Sequence, residues 1–81
     1  MAKSKTPSPL SDCITTTMEQ YFKDLNGEKP TKLHAFFTSE VERPFLMVVM
    51  EHVEWNQTLA ADMLGINRNT LRKKLLQYSL I

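Results

Sequence analysis

One cysteine, Cys13, is all the chain carries, so neither an intramolecular disulfide nor a four-cysteine zinc site can form. It falls within an apolar helical pattern and is expected to be a buried free thiol, with an intermolecular bridge as the alternative. Glycine is almost as scarce. The two residues present, Gly27 and Gly65, exclude a glycine-rich phosphate loop. His34 and His52 are eighteen residues apart and far in sequence from Cys13. Metal-ligand spacing is therefore missing, and neither a metal nor an organic cofactor is expected. No serine or cysteine stands with a histidine and a carboxylate at a spacing that suggests a nucleophilic triad. Glu40 and Glu42, two apart on a helix, point to different faces and read as solvated surface rather than a catalytic pair. An enzyme is not expected. No apolar run approaches the ~20 residues of a membrane span. The polar start, Met-Ala-Lys-Ser-Lys-Thr-Pro-Ser-Pro, lacks the apolar centre of a signal peptide. A cytoplasmic location is expected.

What is present is a short helical chain with an uneven charge distribution. Eighty-one residues, 42% of them hydrophobic and 23% charged, make one domain at most. A core of that size commonly gains buried surface by self-association. Net charge is only +1, but four bases and no acid lie between Ile66 and Ile81, whereas five acids and one base lie between Leu33 and Asp62. The positive field is concentrated at one end, where it would face a polyanion.

Residues 1–8 read as a flexible tail. Ser8-Pro9 is a cap followed by proline at the first helical position. Ile14, Met18, Tyr21, Phe22 and Leu25 then recur at helical spacing, predicting a first helix over Pro9–Leu25 that ends at Asn26-Gly27. Thr31 can cap a second helix over about Lys32–Glu54. Its apolar positions stay in phase across Pro44, so one kinked helix is favoured over a break into two. Phe45-Leu46-Met47-Val48-Val49-Met50 is apolar on every face. A second copy of the chain crossing here is the simplest way to cover Phe45, Leu46, Val48, Val49 and Met50. A short buried strand is the competing reading. Residues 9–54 are thus expected to form a homodimer, and residues 55–81 a separate functional region within the same domain. Trp55 is expected to pack the long helix against that region.

The stretch Asn56–Ile81 reads as two short helices joined at Gly65. Asn56 can cap the first of them, and Ala60 and Ala61 are small enough for a close crossing. Gly65 supplies the left-handed residue that ends a helix, Ile66 turns inward, and Asn67 caps a second helix over Arg68–Gln77. Two helices joined by a short glycine-containing turn form a helix-turn-helix unit. Leu71 and Leu75, four apart, are the buried anchors of the last helix. Asn69, Thr70, Lys73, Lys74 and Gln77 face the other way, with Arg68 and Arg72 on the flanks. A helix presenting amides, guanidinium forks and ammonium groups fits a major groove, where Arg reads guanine and Asn or Gln reads adenine. Thr and Lys fit phosphates. The alternative is an ordinary solvated basic helix.

Asn-Gln-Thr-x-Ala-Ala-x-Met-x-Gly-Ile-Asn-Arg-x-Thr-Leu-Arg-Lys-Lys-Leu, together with Tyr21-Phe22, Leu25-Asn26-Gly27 and Glu40-Val41-Glu42-Arg43-Pro44-Phe45-Leu46, resembles the Fis (factor for inversion stimulation) family over about residues 9–81. The resemblance implies an all-α, intertwined homodimer of four-helix subunits, each with a C-terminal helix-turn-helix. It implies a nucleoid-associated transcriptional regulator that binds and bends double-stranded DNA with A/T-rich centres. RNA polymerase is a further partner on this reading. Asn67, Arg68 and Lys73 fall at the family's base-reading positions. Asn56, Thr58, Thr70 and Lys74 fall at its phosphate-contacting positions, and Arg72 lies in the supporting basic run. Leu59, Leu76 and Gln77 stand where better-known members carry bases, and Asn69 where they carry glycine; the lost charges imply weaker binding and a shallower salt slope. The longer N-terminal arm of those members is not expected here, so neither is stimulation of site-specific inversion. A related motif ends sigma-54 activators, which leaves a solo module of that kind as an alternative. A helical interaction protein with a basic end is another.

Overall fold

The computed structural model describes residues 8–81, which form four α-helices and no strand. The expected flexible tail therefore lies outside the described residues, apart from Ser8. The chain divides into two compact units between Thr31 and Lys32.

The first unit holds α1, Pro9–Leu25. Ser8 starts it, its side chain accepting the Ser11 N–H at 3.0 Å, and Pro9 occupies the first turn, where its missing N–H costs nothing. Asn26 ends it in the left-handed conformation, φ 56°. Ile14, Met18, Tyr21 and Leu25 are the partly buried stripe. Cys13 is exposed, contrary to the buried thiol expected, because it lies about 100° around the helix from Ile14.

The second unit begins with α2, Leu33–His52. Thr31 does not cap it. Lys32 occupies the cap position without a side-chain bond, and its carbonyl already accepts the Phe36 N–H at 3.0 Å. Pro44 lies inside one uninterrupted helix, which removes both the strand reading of Phe45–Met50 and the break into two helices. Following α2 come α3, Gln57–Leu64, and α4, Arg68–Gln77.

One core unites these three helices: Leu46, Met50 and Val53 from the end of α2, Ala60 and Ala61 from α3, Leu71 and Leu75 from α4. Val49, Leu64, Ile66, Tyr78 and Leu80 pack around it. This corrects the expectation for the apolar run. Leu46 is 1% exposed and Met50 0%, so both are buried within the chain itself and have no surface left for a second copy. Phe45 and Val48, on the opposite face, are 53% and 66% exposed. Together with Val41 they make a second apolar stripe at steps of four and three.

Three helices, α2, α3 and α4, are closed by a bond in which an N–H two or three residues past the helix reaches back to the carbonyl five residues before it. Ile66 N–H bonds to the Ala61 carbonyl at 3.1 Å, with Gly65 at φ 75°. The same closure ends α2, Trp55 N–H to Met50 O at 2.8 Å, and α4, Leu80 N–H to Leu75 O at 2.8 Å. There the left-handed residues are Glu54 (φ 54°) and Ser79 (φ 58°), with Trp55 (φ 65°) left-handed as well.

Candidate nucleic-acid interface

The site is built on the start of α3 and the outer face of α4. Both helices begin at an asparagine. Asn56 Oδ1 accepts the Leu59 N–H at 3.0 Å, and Asn67 Oδ1 accepts the Asn69 N–H at 2.7 Å. Each cap removes one orphan donor and sets the direction from which the chain enters the helix. The carboxamide nitrogens are not used in these bonds and remain donors.

Leu71 and Leu75 are both 0% exposed. Burying that stripe forces the rest of α4 outward. Arg68, Asn69, Thr70, Arg72 and Lys73 are all exposed. Trp55, Gln57, Thr58, Arg68, Asn69 and Arg72 line one open cleft between the two helix starts. Across it, Arg68 Nη1 donates to Thr58 Oγ1 at 3.3 Å. That bond restricts where the guanidinium fork can point while leaving its other N–H groups unused. The surface so formed offers amide, hydroxyl, guanidinium and ammonium donors, and α4 contributes no carboxylate.

Of the residues expected here, Asn56, Asn67, Thr58, Arg68, Thr70, Arg72 and Lys73 lie on this exposed surface. Lys74 is only partly exposed and is already engaged. Its Nζ lies 3.1 Å from Glu42 Oε2 and 3.2 Å from Oε1. The Tyr78 hydroxyl donates to the same Oε1 at 2.6 Å, and Arg43 Nε donates to the Tyr78 carbonyl at 3.3 Å. Glu42 is thus not the solvated surface residue expected. It ties the middle of α2 to the end of α4.

The Tyr78 hydrogen bond is the main reason the Glu42 carboxyl is held below its ordinary pKa; partial burial opposes this, and the Lys74 ammonium reinforces it. The same bond raises the Tyr78 hydroxyl above its ordinary value, with burial and the Glu42 charge acting in the same direction.

Sequence reasoning missed three residues. Glu42 gave no local signal, since its partners are 32 and 36 positions away. Gln57 and Trp55 both border the cleft. Trp55, expected to pack the long helix against this region, is 39% exposed and is not among the residues of the core cluster or those packed on it. Among the described residues no group of three or more His, Cys, Asp or Glu side chains could hold a metal. No helix there is long and apolar enough to cross a membrane.

The sequence model of the family described as "Bacterial regulatory protein, Fis family" matches residues 37–78. A Fis-like protein of Neisseria meningitidis serogroup B (strain ATCC BAA-335 / MC58) is 51% identical over 72 residues, covering 89% of this chain and 91% of the relative. The "DNA-binding protein Fis" of Haemophilus ducreyi is 50% identical over 72 residues, 89% of this chain and 74% of that one. The protein of the same name in Psychromonas ingrahamii is 48% identical over 75 residues, 93% and 76% of the two chains.

Proposed function

This chain belongs to the Fis family of bacterial regulatory proteins, and from that premise we propose that it binds and bends double-stranded DNA as a homodimer. It regulates transcription from the nucleoid, within the cytoplasm, rather than catalysing a reaction. RNA polymerase at nearby promoters is the partner on which the bound dimer acts.

One observation carries the reading. Leu71 and Leu75 are fully buried, and this turns an acid-free face of Arg68, Asn69, Thr70, Arg72 and Lys73 into solvent. Asn67, Arg68 and Lys73 read base edges in the major groove. Arg68 takes guanine with its fork, steered by Thr58. Asn56, Thr58, Thr70, Arg72 and Lys74 hold the flanking phosphates and set the register. Homodimerisation is supported by the exposed stripe Val41, Phe45 and Val48 on α2, a face of the long helix that α3 and α4 leave uncovered. Two recognition helices held closer than one DNA turn, ~34 Å, admit the duplex only if it bends. Centres that deform easily, especially A/T-rich ones, are then preferred without being touched.

The test is a gel-shift series with circularly permuted A/T-centred fragments at two salt concentrations. Mobility is expected to depend on where the site lies in the fragment. Arg68→Ala is expected to cost about 1–3 kcal/mol and to relax recognition of one base, with the dimer intact. Unchanged binding after Arg68→Ala would refute the assignment of α4 as the recognition helix.

A further inference from the structure

We infer that Glu42 is a positioning residue for DNA binding, aiming the Lys74 ammonium at a phosphate rather than merely bracing the fold. The inference rests on the proposed role of Lys74 as a phosphate contact.

Lysine is a poor fixed donor. Its flexible stem must lose rotamer freedom before the ammonium can hold one position. Lys74 has lost much of that freedom already. Both Glu42 oxygens lie against its Nζ, at 3.1 and 3.2 Å. The carboxylate is itself held by the Tyr78 hydroxyl at 2.6 Å. Tyr78 is the residue that closes α4, and Arg43, beside Glu42 on α2, holds its carbonyl at 3.3 Å. The cluster therefore links the two helices at the end of α4 remote from Arg68.

An ammonium has three N–H donors. The Glu42 carboxylate occupies no more than two of them, and the Lys74 side chain is still 33% exposed, which leaves a donor for a phosphate oxygen. Lys73, the next residue, is exposed and has no such carboxylate against it. The two neighbouring lysines are thus prepared differently, one without a carboxylate partner and one held by Glu42.

This reverses what charge alone dictates. A carboxylate near a polyanion repels it, so removing Glu42 should strengthen binding. If Glu42 aims Lys74, removing its charge weakens binding instead, and does so only while Lys74 is present.

The experiment is a double-mutant cycle on the full chain. Anisotropy titrations of a labelled A/T-centred duplex compare the unsubstituted protein, Glu42→Gln, Lys74→Met and the double variant. Helicity and sedimentation confirm each fold. Glu42→Gln is expected to weaken binding by about two- to tenfold. In the Lys74→Met background the same change is expected to leave binding unaltered or to strengthen it. Tighter binding by Glu42→Gln with Lys74 in place, or equal changes with and without Lys74, would overturn the inference. Should Glu42→Gln not fold, Tyr78→Phe carries the same test without altering charge, weakening binding only when Lys74 is present. The underlying reading is tested separately. Lys74→Met should lower the salt slope by about 0.9 per subunit; an unaltered slope removes Lys74 from the phosphate contacts, and an unsubstituted chain that does not bind the duplex removes the DNA reading itself.

Discussion

Phe45 and Leu46 are adjacent in sequence, yet truncating them should damage different things. Leu46 is 1% exposed and belongs to the core that joins α2 to α3 and α4. Leu46→Ala leaves a cavity there and should lower the stability of the fold by about 2–5 kcal/mol. Phe45 faces the other way and is 53% exposed. A phenylalanine can bury ~150–250 Å², so a partner can cover about 100 Å² of Phe45, worth about 2.5 kcal/mol at ~25 cal/mol/Å². Alanine keeps little of that. The loss is about 2 kcal/mol per subunit and about 4 kcal/mol per dimer, or roughly a thousandfold in the dimer dissociation constant at ~1.4 kcal/mol per decade. Sedimentation across a dilution series measures it, and urea unfolding of Leu46→Ala provides the contrast. If Phe45→Ala moves the dissociation constant by less than about tenfold, the exposed stripe of α2 is not where the second copy sits.

Three further outcomes follow from the geometry. Gly65→Ala should cost about 1 kcal/mol in urea unfolding, purely because φ is 75° there, since an added Cβ would meet no atom within 4 Å. Glu54→Gly should go the other way and raise stability by a few tenths of a kcal/mol to about 1, because Glu54 holds φ 54° with a Cβ. The Glu42–Tyr78 bond should leave a pH signature at both ends of a stability profile. Glu42 is depressed when folded, so its contribution is present above the unfolded carboxyl value and is lost as pH falls through the folded one. Tyr78 is raised, so its contribution is present below about pH 10 and is lost as pH rises through the folded value. Tyr78→Phe should flatten both limbs, and a profile unchanged by that substitution would refute the coupling.

Local signals in the sequence carried the helices well. Proline at the start of α1, asparagine at the starts of α3 and α4, and Gly65 between them mark boundaries that a short window can read. The four-residue spacing of Leu71 and Leu75 turns α4 the right way round without reference to anything else. Two kinds of feature were hidden. The run Phe45–Met50 is apolar at every position, so it carries no phase, and only packing against Ala60, Leu71 and Leu75 decides that Leu46 and Met50 go inward while Phe45 and Val48 stay out. Contacts between distant positions were equally invisible. Glu42 meets Lys74 and Tyr78 only after α2, α3 and α4 have assembled, and the left-handed turn at Glu54 and Trp55 is made without a glycine to mark it.

The two apolar stripes of α2 share one rod, and this makes its length a fixed dimension. One residue inserted after Pro44 would turn everything downstream by about 100° and advance it ~1.5 Å. Leu46, Met50 and Val53 would turn as one body with α3 and α4, carrying Lys74 and Tyr78 away from Glu42, and Val48 would swing off any surface aligned with Val41. Seven residues would nearly restore the phase but would push each reading head about 10 Å farther along the axis. Variation in length should therefore collect in the segments flanking this helix, and a viable change within it should come with a matching change in the DNA spacing it accepts.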